Sequence, residues 1–137
     1  MRVADYFDRV YLEHDRFWWQ EKGRYAVNPG SYPHSLLAQQ TLRLVRGRPP
    51  GRALDIGAGE GTDSIRLALL GYQVDAVELS SVGAKKIEYF AETTGVEVRV
   101  VASDIQDFMP ERSYDVIICN GVLHYVKNKD SVIALMQ

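Results

Sequence analysis

The sequence predicts an α/β fold built on parallel strands, and three observations point to it. Beyond Gly51, short apolar runs alternate with amphipathic ones, the pattern of parallel strands joined by right-handed crossover helices. A glycine-rich stretch, Gly57-Ala58-Gly59-Glu60-Gly61, falls where the first of these strands gives way to a helix. Ahead of both, residues 1–50 read as a helical cap or lid, which leaves residues 51–137 to carry the sheet.

In the first segment Val3, Tyr6, Phe7, Val10, Tyr11, His14, Phe17 and Trp18 recur at three- and four-residue steps, as one face of a helix requires. Residues 19–33 lose that period and contain Gly23, Asn28-Pro29-Gly30 and Pro33, so a loop rich in aromatic residues is expected. Leu36, Leu37, Gln40, Thr41 and Leu44 give a second helix its inner face. Gly47 and Pro49-Pro50 end it, since proline lacks an amide to donate and keeps its predecessor out of the helical region. Strands are expected near 52–57, 73–78, 97–102 and 115–119, with helices near 62–70, 81–94 and 130–137. Ala84, Ile87, Phe90 and Ala91 form the buried stripe of the 81–94 helix, and Gly95 suits its left-handed C-terminal cap. No repeat or low-complexity segment is present, and the last helix reaches Gln137 with no strand after it.

The 137 residues have the size of one domain. With 16 Lys and Arg against 18 Asp and Glu, the net charge of -2 gives no broad attraction to nucleic acid or to an anionic membrane. Arg43, Arg46, Arg48 and Arg52 gather around a helix end, where cations complement the helix dipole and face solvent. No apolar run approaches the roughly 20 residues that span a bilayer, and the opening Met1-Arg2-Val3-Ala4-Asp5 leads into mixed polar sequence rather than a signal-peptide core. Cys119 is the single cysteine, with no partner for a disulfide or a zinc site, so a cytoplasmic protein without a metal is expected.

The chemistry concentrates in Leu54-Asp55-Ile56-Gly57-Ala58-Gly59-Glu60-Gly61-Thr62. Glycine tolerates the positive φ of a tight strand-to-helix turn, and a side chain at Gly57 or Gly59 would hold a ligand away from the main chain. Free amides are then expected to face the ligand. Glu78 follows about 20 residues later, at the end of the second strand, where nucleotide-binding α/β sites place a carboxylate on ribose hydroxyls. A dinucleotide site favours GxGxxG, whereas Thr62 stands at the third glycine and the pattern present is GxGxG. Glu60 inside the loop would repel a pyrophosphate yet need not oppose a cofactor that has no phosphate and carries a positive sulfonium.

These residues, with Ala102-Ser103-Asp104-Ile105 and Tyr114-Asp115-Val116-Ile117-Ile118-Cys119-Asn120-Gly121-Val122-Leu123-His124-Tyr125-Val126, resemble the class I S-adenosylmethionine-dependent methyltransferases. The resemblance runs from about Gly51 to Gln137 and is strongest to the small-molecule branch that includes tellurite-resistance-type bacterial enzymes. It implies a Rossmann-like parallel sheet in the order 3-2-1-4, the N-terminal half of a seven-stranded domain. It further implies that Gly57, Ala58, Gly59 and Gly61 hold the methionine part of S-adenosylmethionine or S-adenosylhomocysteine, with Asp55 setting the loop. Glu78, with Leu79 beside it, would bind the ribose, Asp104 the adenine amino group, and the Ile105 amide would face the ring. Asn120 would line the site through its backbone near the methionine amino group. Glu78, Asp104 and Asp107 also read as surface or loop acids, and Asp115 lies at the start of its strand, away from the ligand-binding edge.

Methyl transfer is an in-line displacement, in which alignment and exclusion of water supply much of the acceleration. His124, just beyond the fourth strand, is the residue placed to take a proton from an acceptor, with packing over the cofactor as the other reading. Tyr11, Phe17, Trp18, Trp19, Tyr25 and Tyr32 read as an aromatic lid, or for Phe17 and Trp18 as a plain helix face, and Arg24 as the partner of the cofactor carboxylate. The segment Asn120-Gly121-Val122-Leu123 departs from the Asn/Asp-Pro-Pro-aromatic signature of enzymes that methylate bases and glutamines, which turns the expectation toward a small-molecule acceptor. An edge left open on the fourth strand seeks a partner, so a fragment of a longer enzyme, a homodimer or a strand swap is expected. A cofactor-binding or protein-interaction module without catalysis is the alternative in another class, and an NAD-dependent oxidoreductase is a third.

Overall fold

The computed structural model describes residues 1–13, 20–21, 24–25 and 36–137, with side chains described for 1–13 and 40–137. In chain order the elements are α1 (Val3–Glu13), β1 (Gln20–Glu21), β2 (Arg24–Tyr25), α2 (Leu36–Val45), β3 (Arg52–Ile56), α3 (Thr62–Leu69), β4 (Gln73–Glu78), α4 (Ser81–Thr94), β5 (Val98–Ala102), β6 (Val116–Ile118) and α5 (Lys129–Leu135).

The four longer strands form one parallel sheet in the order β5-β4-β3-β6. That is the expected 3-2-1-4 order, with each strand within a residue or two of its predicted bounds. Buried on both faces, β3 separates its side chains by the two-residue period of a strand. Ala53 joins Val45 of α2, Leu67 of α3, Val74, Val116 and Ile118 on one side, while Leu54 and Ile56 join Val77, Phe108 and Val132 of α5 on the other. Helices therefore cover both faces, and the C-terminal ends of the strands open together at one edge.

The middle helix α4 buries the predicted stripe of Ala84, Ile87, Phe90 and Ala91 and ends at Gly95 with φ 78°, so its left-handed cap is present. Three expectations change. The stretch 19–33 contains the short antiparallel pair β1–β2, with Gln20 opposite Tyr25 and Glu21 opposite Arg24, rather than loop alone. Among the described side chains of α2, Thr41 and Val45 are buried, whereas Gln40 and Leu44 face outward. On α1 the buried residue is Tyr11, and Tyr6 stays 46% exposed, packed edge-on against Phe7. His14, Phe17 and Trp18 lie outside the described residues, as do the side chains of Leu36 and Leu37.

Candidate functional site

The first strand of the parallel sheet, β3, delivers the glycine loop to the C-terminal edge of that sheet, and each glycine there has positive φ: 66° at Gly57, 61° at Gly59 and 86° at Gly61. Gly57 thus has the expected positive φ and answers a further demand as well. A Cβ at that position would lie 2.2 Å from Val122 Cγ2, so the segment after β6 occupies the space a side chain would need. Gly61 is the N-cap residue of α3, and a Cβ on it would press on Ile87 at 3.0 Å.

The loop amides are also committed rather than free. Gly57 N and Ala58 N both donate to Val77 O, at 2.8 and 3.1 Å, and Gly61 N donates to Ala58 O at 2.9 Å. Gly59 N donates to the Glu78 carboxylate, Oε2, at 2.7 Å. The charge in the loop is answered too, since Glu60 is fully buried and takes an ion pair from Lys86 at 2.8 Å. Its carboxylate thus carries no argument about the ligand.

Glu78, 5% exposed at the end of β4, holds Gly59 N with one oxygen and Ser80 N with the other at 2.8 Å. Burial raises its carboxyl above the usual range; the two amides act against that rise, and the nearby Asp8 carboxylate adds to it. Leu79 beside it is partly exposed, at 37%.

Two further acids stand near the first turn of α3, Asp55 in β3 and Asp63 in the helix itself. Asp55 Oδ2 accepts from Ser64 Oγ at 2.6 Å, which ties β3 to the first turn of the helix. Burial first, and the neighbouring Asp63 next, push its carboxyl up to about 7. Asp63 is likewise raised by burial, opposed by the hydrogen bond from Asn120 Nδ2 to Asp63 Oδ2 at 2.8 Å and by Arg66. The second oxygen, Asp63 Oδ1, is buried without a hydrogen bond. Asn120 also reaches Thr41 Oγ1 at 3.4 Å, so its side chain joins β6 to α3 and α2. Asp63 and Ser64 carried no signal in the sequence beyond their place in a helix first turn, where a carboxylate is favoured by the helix dipole.

Asp104, two residues past the end of β5, is half-buried and accepts from the Gln106 amide through Oδ1 at 2.9 Å, the short-range turn its residue type favours. Ile105 is buried in the core face shared with Phe108. His124 is exposed on the segment after β6, its ring 4.0 Å from that of Tyr125, and Phe7 of α1 meets Tyr125 edge-on at 5.1 Å. Asp115 lies at the opposite end of the sheet and accepts from Arg52 N at 2.8 Å. Trp19 lies outside the described residues, and Arg24 is placed only as backbone in β2. Glu78, the glycine loop, Asp55, Asp104, Asn120 and His124 are thus carried to one edge of the sheet. Among the described residues no group of three or more His, Cys, Asp or Glu gathers to hold a metal, and no helix is long and apolar enough to cross a membrane.

Known proteins resemble this chain in sequence and in fold. Ubiquinone biosynthesis O-methyltransferases from Rickettsia felis and Rickettsia canadensis are 26% and 30% identical over 113 residues, covering 81% of this chain and 46% and 48% of theirs. The chain therefore spans about half the length of these curated relatives. Among solved structures, an S-adenosylmethionine-dependent methyltransferase from Thiobacillus denitrificans in complex with S-adenosylhomocysteine superposes with a TM-score of 0.70. It shares 22% identity over 99% of this chain and 51% of its own. The magnesium protoporphyrin IX methyltransferase of Synechocystis, with bound S-adenosylmethionine, gives 0.69 at 19% identity over 97% of this chain and 66% of its own. A family model described as a methyltransferase domain matches residues 53–137, and the chain belongs to that family.

Proposed function

We propose that this chain binds S-adenosylmethionine and serves methyl transfer to a small-molecule acceptor, with residues 51–137 as the cofactor-binding part and 1–50 as its cap. The observation that carries the reading is Glu78, a buried carboxylate whose two oxygens are held by main-chain amides at the ligand-binding edge of a parallel sheet. A carboxylate has about four acceptor sites. Gly59 and Ser80 use two, and the other two suit a vicinal diol such as that of a ribose.

The surroundings favour a phosphate-free cofactor. Four loop amides are already bonded, which withholds from a pyrophosphate the donors that a dinucleotide site offers it at this turn. When bound, the cofactor supplies an electrophilic methyl group on sulfur. The chain's own residues bind and orient it: Gly57 to Gly61 and the Asn120 backbone along the methionine part, Glu78 and Leu79 at the ribose, Asp104 and Ile105 at the adenine. Arg24 is assigned to the cofactor carboxylate and Trp19 to the lid.

The relatives named as O-methyltransferases support a hydroxyl acceptor, from which His124 at the same edge would take the proton. A protein of the cytoplasm, acting on neither nucleic acid nor membrane, fits the near-neutral charge balance. The outer edge of β6 has no strand partner among the described residues, and pairing with a second copy would satisfy it.

Calorimetric titration with S-adenosylhomocysteine tests the core of this reading. Loss of charge-assisted bonds worth roughly 1.5–3 kcal/mol should raise the Kd about 10- to 100-fold in Glu78→Ala. NAD should give no heat. An unchanged Kd in Glu78→Ala, or binding of NAD in place of S-adenosylhomocysteine, overturns it.

A further inference from the structure

Helix α1 lies far in sequence from the glycine loop, yet its middle rests on the first turn of α4. Asp8 Oδ1 accepts from Ser80 Oγ at 2.5 Å and from Val82 N at 3.3 Å. Ser80 is fully buried, and its Oγ accepts from Gly83 N at 3.0 Å as the N-cap of α4. The Ser80 amide in turn donates to Glu78 Oε1, and Glu78 Oε2 takes Gly59 N. One run of hydrogen bonds therefore connects Asp8, Ser80, Glu78 and the glycine loop.

The rest of α1 is fitted to the same edge. A Cβ on Gly83 would come within 3.0 Å of the Tyr11 ring and 2.8 Å of Gly59 O, so α4, α1 and the loop meet there with no room to spare. Lys86 lies 5.8 Å from the Tyr11 ring centroid while paired with Glu60. One step along the helix from Asp8, Phe7 packs on Tyr125, the neighbour of His124. Helix α1 thus touches the turn that holds Glu78 and the segment that carries His124.

We propose that Asp8 is a positioning residue: by fixing Ser80 it holds the Glu78 carboxylate ready for the ribose diol, and so makes the docking of α1 part of the grip on the cofactor. This rests on the ribose role assigned to Glu78 above. Removing the Asp8 acceptor leaves a buried Ser80 hydroxyl without its partner, which is costly enough to make that serine and its turn rearrange. The Asp8 carboxylate itself touches no reacting group.

Cofactor affinity, read by calorimetry on the full chain, tests it with Asp8→Ala, Asp8→Asn and Ser80→Ala. The ligands are S-adenosylhomocysteine and its 2′,3′-dideoxy analogue. Asp8→Ala should raise the Kd for S-adenosylhomocysteine about 5- to 10-fold, the equivalent of one neutral hydrogen bond. Asp8→Asn should stay within about twofold of wild type, because its amide oxygen can accept the same bonds. The dideoxy analogue, lacking the hydroxyls that Glu78 would hold, should bind wild type and Asp8→Ala alike. If Asp8→Ala does not fold, Ser80→Ala carries the same comparison. A Kd unchanged in Asp8→Ala, or an equal loss for both ligands, overturns the proposal. If Glu78→Ala weakens binding and Asp8→Ala does not, only this inference falls; if Glu78→Ala has no effect, the ribose reading falls first.

Discussion

The glycine at 57 illustrates how one residue answers to its neighbours as much as to a ligand. Its φ of 66° disfavours any side chain, and Val122 fills the space where one would go. Gly57→Ala should lower stability by about 2–4 kcal/mol, the backbone strain and the overpacking together. In a Val122→Ala background the same change should cost about 1–2 kcal/mol, the backbone share alone, in a double-mutant cycle from denaturant unfolding. Equal costs in both backgrounds would mean that Val122 is not the obstacle. Asp55 makes a second residue-scale prediction. Its carboxyl is raised on folding from 3.8 to about 7, so its contribution to stability is complete below the lower value. That contribution is lost as the pH climbs through the higher one, because only the unfolded chain ionises it freely. Thermal melts should show wild type softening across that window and Asp55→Asn softening less. The slope that remains belongs to Asp63 and Glu78, which shift in the same direction. Parallel curves for the two proteins would refute the assignment to Asp55.

Among the elements, β4 shows how an inward charge can serve a fold. Asp75 is 4% exposed in the middle of that strand and takes the Tyr114 hydroxyl at 2.6 Å, Arg99 at 3.2 Å and Arg112 at 3.7 Å. The cluster fastens the segment before β6 to β4 and β5, near the N-terminal ends of the strands and away from the ligand edge. Burial, then the bond to Asp75, drives the Tyr114 phenol up to about 12. Tyr114→Phe should therefore cost roughly 1 kcal/mol of stability without weakening S-adenosylhomocysteine binding. Denaturant unfolding beside calorimetry separates the two quantities. A loss of binding at wild-type stability would place Tyr114 in the site instead of the scaffold. The elements were readable from the sequence where local pattern and burial agree, as in α4, with its stripe and its Gly95 cap. They were misread at α2, where Gln40 and Leu44 face outward and Val45 turns in, because ten residues of helical period leave the facing side to be chosen by the sheet.

At the scale of the molecule, the parallel sheet of the described residues gathers the C-terminal ends of its strands at one edge and has β5 and β6 as its two outer strands. The pairing of β3 with β4 and β6 puts the glycine strand in the interior and leaves β6 outermost, with the main-chain groups of its outer edge lacking a strand partner among the described residues. Sedimentation should show a weight-average mass that rises with concentration, as edge pairing between copies requires; a folded monomer at every concentration would remove that proposal. The parallel strands, the glycine turn and the acid closing the strand after that turn were determined by the sequence itself, since apolar alternation, positive-φ glycines and short crossovers act over neighbouring residues, while the 3-2-1-4 order followed from the family resemblance. Tertiary structure alone decided what those residues touch. It bonded the expected free amides to Val77 and Glu78, neutralised Glu60 with Lys86, and set Val122 against Gly57. It also brought Asp8 onto Ser80 and Asn120 onto Asp63, pairs that no local pattern connects. The physical reason is range: backbone preference and periodicity act within a few residues, whereas hydrogen-bond partners and the burial that shifts a carboxyl depend on which distant segments the packed chain brings together.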